Sequence, residues 1–89
     1  MNAPLPVPDR AAILERLKKL APERVAVDPA LLTPEARLAD IGIDSFSLIE
    51  LVFLAEEEFG IKIPVEDLEV KTVADVLDVI QQRVALPAS

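Results

Sequence analysis

Apolar side chains recur at the spacing of an α-helix in three separate stretches of this chain, and no stretch alternates as a β-strand does. The first helix is predicted over residues 9–20, with Asp9 as its N-cap. A second helix is predicted over residues 45–59, stopped by Gly60, and a last helix begins at Thr72. The chain is therefore expected to be all-α.

The segments between these helices carry the internal prolines. Residues 21–43 form a long loop in which residues 33–35 are expected to make one turn. Residues 65–68 are expected to form one short helical turn, and Thr72 with Asp75 resembles a capping box. The side chains expected to hold the long loop against the helices are Val25, Val27, Leu31, Leu32, Leu38 and Ile41. The predicted fold is a small bundle of three main helices plus one short helical turn, with a long loop between the first two helices.

The 89 residues correspond to one domain. Residues 1–8 alternate proline with small or apolar residues and are expected to be a disordered arm, residues 9–85 form the folded domain, and residues 86–89 are an unordered tail. The N-terminus lacks the features of a signal peptide, and no apolar run is long enough to span a bilayer. We expect a monomeric cytoplasmic protein without a membrane partner.

Charge and composition exclude several classes of function. The net charge of −7 opposes binding to nucleic acid and favours protein partners that have basic docking patches. The sequence contains no Cys and no His, so disulfides, the usual zinc sites and Ser-His triads are excluded. The absence of histidine also excludes imidazole acid–base catalysis, and no metal site is expected.

The second helix starts with Asp44-Ser45-Phe46, after a Leu-x-Asp-Ile-Gly turn that begins at Leu38, and it ends before Ile61-Lys62-Ile63-Pro64. This ordered string resembles the acyl carrier protein family. The resemblance extends over roughly residues 13–84 and implies a 4′-phosphopantetheine arm, transferred from coenzyme A onto Ser45. It also implies that Asp44 assists the docking of the transferase or its metal, and that the carrier itself catalyses nothing.

Ser45 also suits this role on chemical grounds. A phosphodiester at the start of a helix would meet unsatisfied backbone N–H groups and the positive end of the helix dipole. The simpler interpretation is that Ser45 only caps the helix, as serine often does. The two interpretations are compatible if Asp44 provides the cap.

The second helix has two apolar faces on a helical projection. The face expected to enter the core contains Leu48, Leu51, Val52, Ala55 and Phe59. The other face groups Phe46, Ile49 and Phe53 beside Glu56, with Glu50 and Glu57 flanking it. An apolar patch with an acidic rim predicts a docking surface. The alternatives are that the aromatic residues are buried under the long loop and that the glutamates are an ordinary solvated face.

The family resemblance implies several partners: a phosphopantetheinyl transferase, an acyl-loading ligase or acyltransferase, and ketosynthase-type or other carrier-dependent enzymes. The sequence departs from the family pattern at Phe46, where leucine is usual, and at Ser47, where an acidic residue is common. Both positions lie in the contact region, so they count against service in housekeeping fatty acid synthesis. Fatty acid, polyketide and related lipid pathways are all considered, and a carrier for a specialised polyketide-like, lipid or aminoacyl pathway is at least as well supported. An aminoacyl or peptidyl carrier and an unmodified acidic helix-binding adaptor are the two alternatives.

Overall fold

The computed structural model describes residues 9–64, 66 and 68–85. It contains three α-helices, α1 (Arg10–Leu20), α2 (Ser45–Phe59) and α3 (Val73–Ala85). The described part of the chain forms no strand, and the predicted all-α bundle is confirmed. No helix in this part is both long and apolar enough to cross a membrane. The predicted arm and tail, residues 1–8 and 86–89, and two residues of the predicted 65–68 turn, residues 65 and 67, lie outside the described residues.

Helix α1 begins and ends where the sequence indicates. The carboxylate of Asp9 accepts a hydrogen bond of 2.9 Å from the backbone N–H of Ala12, which satisfies one of the free donors of the first turn. At the other end the helix passes directly into a turn of 3₁₀-helix, Ala21–Glu23, with Pro22 inside it. Lys18 and Lys19 occupy the last turn, where positive charge is favourable.

The long loop contains three turns of 3₁₀-helix, Ala21–Glu23, Pro29–Leu31 and Ala39–Ile41. Four of the six predicted anchors, Val25, Val27, Leu32 and Leu38, are buried, and Ile41 is partly buried. The prediction for Leu31 was wrong: this residue ends the second 3₁₀ turn and is 48% exposed. The adjacent Leu32 is buried in its place. The predicted turn at 33–35 forms as a single turn, closed by a hydrogen bond of 3.0 Å from the N–H of Ala36 to the carbonyl of Thr33.

The apolar faces of the helices and the buried loop anchors meet in one core. Its buried members are Ile13, Leu17, Ala21, Val25, Val27, Leu32, Leu38, Ile43, Leu51, Val52, Leu54, Ala55, Ile63, Val73, Val76, Leu77 and Ile80. Of the predicted α2 core face, Leu48 and Phe59 are only partly buried. Leu54 is buried although it was not assigned to that face. It lies one turn before Glu57 and Glu58, whose carboxylates pair with Arg24 and Arg16, so the first part of the chain covers this side of α2.

Backbone hydrogen bonds join the end of the long loop to the start of α3. The N–H of Leu38 donates to the carbonyl of Lys71 at 2.9 Å, and Arg37 and Thr72 form an isolated antiparallel bridge. In return, the N–H groups of Val73 and Ala74 donate to carbonyls of the loop at 3.0 and 2.9 Å. These bonds satisfy two of the free donors at the start of α3 and bring this helix end close to the start of α2.

The predicted capping box at the start of α3 is confirmed. The carboxylate of Asp75 accepts hydrogen bonds from the backbone N–H groups of Lys71 and Thr72 at 3.0 and 3.1 Å. The hydroxyl of Thr72 accepts in turn from the N–H of Asp75 at 3.2 Å. The bond from Lys71, followed by that from Thr72, lowers the pKa of Asp75 below its ordinary value.

Replacing Asp75 by Asn removes this charge and keeps the shape of the side chain. Because the folded state lowers the pKa of Asp75 from 3.8, its stabilising effect is fully present above that value and is lost as the pH falls through the lower folded-state pKa. We expect the difference in melting temperature between the wild type and Asp75→Asn to be constant near neutral pH and to shrink below about pH 4. Thermal unfolding followed by circular dichroism across this range measures it.

Glu15→Gln is the matched control, because Glu15 is an exposed carboxylate on the surface of α1. A difference for Asp75→Asn that stays the same from neutral to acidic pH would contradict the assignment of a charged cap.

Candidate functional site

Ile43, two residues before α2, anchors the start of this helix in the core. Gly42 adopts the left-handed conformation with φ of 82°, which ends the 3₁₀ turn and favours glycine. The N–H of Ile43 then donates to the carbonyl of Leu38 at 2.9 Å, and the Ile43 side chain is buried. Two residues later Ser45 opens the helix, and its side chain is exposed.

Asp44, and not Ser45, is the N-cap of α2. Its carboxylate accepts a hydrogen bond of 2.8 Å from the backbone N–H of Ser47. This bond, together with the Ser47 hydroxyl, lowers the pKa of Asp44, so the carboxylate stays ionised. The interpretation of Ser45 as the helix cap is therefore wrong, and its side chain is exposed without that role.

A cleft of about 730 Å³ opens beside Ser45. One wall is the start of α2, and the opposite wall is the start of α3 together with the loop residues that bridge to it. Arg37 and Lys71 line this cleft, and sequence analysis missed both. They are 34 positions apart in the chain and meet only through the backbone bridge of Arg37 to Thr72, so no local pattern marks them.

The second apolar face of α2 is exposed as predicted. Phe46 is 72% exposed, Ile49 is 42% exposed and Phe53 is 50% exposed. The alternative that the long loop buries the two aromatic side chains is therefore wrong. The surface formed by Phe46, Ile49 and Phe53 is called the α2 patch below, and its role in docking stays a prediction.

The acidic residues near the α2 patch differ in what they contact. Glu57 forms an ion pair with Arg24 at 2.7 Å, and Glu58 pairs with Arg16. Glu50 is half-buried and forms no ion pair among the described residues. The glutamates are thus not a uniform solvated face.

Glu56 has a structural role that the sequence did not reveal. Its carboxylate accepts a hydrogen bond of 2.8 Å from the backbone N–H of Ile63. Its backbone carbonyl accepts from Ile61 at 3.2 Å, just after Gly60 ends α2 with φ of 65°. Glu56 therefore fixes the segment that leaves α2, and its spacing of seven residues from Ile63 across a helix end gave no signal in the sequence.

Comparison with known proteins agrees with this geometry. Residues 15–80 match the family model described as a phosphopantetheine attachment site. The chain is 44% identical over 79 residues to an acyl carrier protein of Thermosynechococcus vestitus, an alignment that covers 86% of this chain and 98% of that relative. The chain belongs to the acyl carrier protein family.

As a member of this family, the protein is a carrier that bears a covalently attached 4′-phosphopantetheine and transports acyl groups as thioesters. The structure fits such a group, because it offers an exposed serine hydroxyl at a helix start beside a cleft. The thiol of the arm supplies the acyl-carrying chemistry that a chain without cysteine lacks.

The exposure of the α2 patch predicts how stability responds to truncation. Phe46→Ala should change the free energy of unfolding by less than about 1 kcal/mol, as surface substitutions usually do. Leu54→Ala, on the same helix but buried, should cost about 2–5 kcal/mol because it leaves a cavity in the core. Urea unfolding of both variants measures the two values. A loss for Phe46→Ala as large as that for Leu54→Ala would show that Phe46 packs in the core.

Proposed function

We propose that Ser45 is the attachment site of the phosphopantetheine arm and that the α2 patch with its acidic rim docks partner enzymes. The observation that carries the first part is the exposed hydroxyl of Ser45 in the first turn of α2, with the cap supplied by Asp44. The position also lies within the matched phosphopantetheine-attachment segment, residues 15–80.

Attachment requires Ser45 to act as a nucleophile toward coenzyme A. The Oγ atom of Ser45 forms a bond to the phosphorus that carries pantetheine, and the bond from this phosphorus to the nucleotide part breaks. The hydroxyl proton passes to a base supplied by the transferase. The first turn of α2 then faces the new phosphodiester with its free N–H groups and the positive end of the helix dipole.

Asp44 supports this reaction from the adjacent position. Its hydrogen bonds to the first turn of α2 hold the carboxylate in place and keep it ionised. A fixed negative charge next to the nucleophile suits contact with a basic transferase surface or with the metal of the transferase. We therefore assign Asp44 the helper role.

Docking combines a long-range and a short-range contribution. The net charge of −7 draws partners with basic patches toward the protein. On contact, Phe46, Ile49 and Phe53 supply apolar area, and Glu50 and Glu57 supply charge at the rim. Glu56 contributes less, because its carboxylate is bound to the backbone of Ile63.

Phe46 has a particular place in this proposal. It follows Ser45 directly and is the most exposed member of the α2 patch. A large aromatic side chain beside the arm provides an anchor that a partner must accommodate, and truncating such an anchor can cost about 2 kcal/mol of binding or more. We infer that Phe46 selects among the transferase, the loading ligase or acyltransferase, and ketosynthase-type enzymes.

The attachment site is tested by mass. Incubation with coenzyme A, magnesium and a broad-specificity phosphopantetheinyl transferase should add one phosphopantetheine group to the wild type and none to Ser45→Ala. Ser47→Ala, two positions along the same helix, is the control and should be modified like the wild type. Addition that persists in Ser45→Ala, or that disappears in Ser47→Ala, would show that the arm is attached to a residue other than Ser45. An unmodified wild type would favour the acidic adaptor instead.

The electrostatic part of docking is tested at Glu50, which has no ion pair in the described structure. Glu50→Lys should slow association with the transferase at low ionic strength, and the effect should fade at high salt because ions screen exposed charges. Glu15→Lys makes the same change of charge on α1 and should have a smaller effect. Equal slowing by the two variants would mean that only the net charge matters. Stopped-flow association at several salt concentrations separates these outcomes.

A further inference from the structure

The cleft beside Ser45 lies between the starts of two helices. Its volume of about 730 Å³ is within the range of small-molecule sites, about 300–1,000 Å³. The polar side chains that line it are Arg37, Asp44, Ser45, Lys71, Thr72 and Asp75. Beyond these, Ile43, Leu48 and Val70 provide an apolar floor. The cleft can therefore accept a ligand with a charged end and a less polar body.

Both the charged side chains and the dipoles of the two helix starts contribute to the electrostatic potential in this cleft. The carboxylates of Asp44 and Asp75 offset Arg37 and Lys71 in number, but each carboxylate already accepts backbone N–H groups at the start of a helix. The two helix starts add about half a positive charge each. The cleft is therefore more positive than the surrounding surface of a protein whose net charge is −7.

Arg37 is the cation in this cleft that the fold leaves available. Its side chain is exposed and takes part in none of the ion pairs of the described residues, which join Arg10, Arg16 and Arg24 to carboxylates elsewhere. Lys71 is also exposed, and its charge lies near Asp75, whose pKa it helps to lower. The backbone bonds of residues 36–38 to α3 and Lys71 hold both side chains at the cleft.

We propose that this cleft is an oxyanion site in which Arg37 and Lys71 bind the phosphodiester that links the arm to Ser45. The inference rests on the proposed attachment at Ser45. The oxyanion could also be a carboxylate at the end of the cargo, but Ser45 itself lines the cleft, so the phosphodiester starts there, whereas the cargo lies a full arm length away. The two cations also offset the repulsion between the phosphodiester and the neighbouring carboxylate of Asp44.

Binding of the phosphodiester has a consequence for the rest of the arm. With its phosphate held between the two helix starts, the arm lies along the apolar residues Ile43, Leu48 and Val70 of the cleft. Contacts between exposed ions are weak, so a partner enzyme can withdraw the arm at little cost. The cleft thus provides a site that the arm occupies when no partner enzyme is bound and that it leaves readily when one binds.

The experiment uses isotope-labelled pantetheine attached to the full chain. Nuclear Overhauser contacts should join the arm to methyl groups of Leu48 and Val70 in the wild type. They should be lost in the double variant Arg37→Gln/Lys71→Gln and kept in Arg37→Lys, which preserves both positive charges. The control Lys19→Gln/Lys62→Gln makes the same change of net charge at exposed lysines away from the cleft and should keep the contacts. Thermal unfolding confirms that each variant is folded.

Two comparisons make the outcomes distinct. Intact mass establishes modification first, so an unmodified chain counts against Ser45 as the attachment site and not against the cleft. Butyryl and succinyl forms of the arm then differ in a terminal carboxylate. Contacts in the unloaded and butyryl forms support the phosphodiester, whereas contacts that appear only with succinyl, or that survive in the double variant, overturn the proposal.

Discussion

The short backbone contact between residues 36–38 and the start of α3 is the constraint on which the site depends. Only a few hydrogen bonds are involved, yet they connect the end of the long loop to a helix that begins more than thirty positions later. They satisfy donors of α3 that would otherwise be free and place the start of α3 opposite the start of α2. Without this contact, Ser45 would open a helix with no cleft beside it.

Capping is the second determinant, because the two helix starts are satisfied by different means. At α2 the carboxylate of Asp44 bonds to the first turn and leaves the serine hydroxyl unused. At α3 the carboxylate of Asp75 bonds to residues that precede the helix, while backbone carbonyls of the loop accept from its first turn. Both aspartates are thus held by backbone donors. The remaining charged groups of the cleft are Arg37, which forms no ion pair among the described residues, and Lys71, whose charge lies near Asp75. The same physics that stabilises the helices also sets the charge of the cleft.

Local signals predicted much of this structure. Helix bounds followed from Asp9, Thr72 and Gly60, because caps and stops act within one turn of the helix and are visible in sequence. Exposure of the α2 patch followed from helical periodicity alone. Leu54 and the cations of the cleft were missed because they depend on contacts between distant segments, whereas the exposure of Leu31 follows from its position at the end of a 3₁₀ turn. Periodicity assigns a residue to a side of its own helix, but it does not reveal which neighbours cover that side.

The acidic residues of α2 differ in how much of their charge is already engaged within the protein. Glu57 and Glu58 lie beside each other on α2, but both are engaged by arginines from the first part of the chain, and Glu56 is bound to the backbone of Ile63. These pairs fasten the helix to its neighbours and reduce the charge that a partner meets locally. Exposed pairs of this kind contribute little to stability, roughly 0–1 kcal/mol, so an arginine of a partner can compete with Arg24 for Glu57. Glu50 forms no ion pair among the described residues, so a partner can contact its carboxylate without displacing an internal arginine. In the docking proposed above, the first contacts of a basic partner are expected at Glu50, next to Phe46 and Phe53, and they extend toward the end of α2 only as internal ion pairs are replaced.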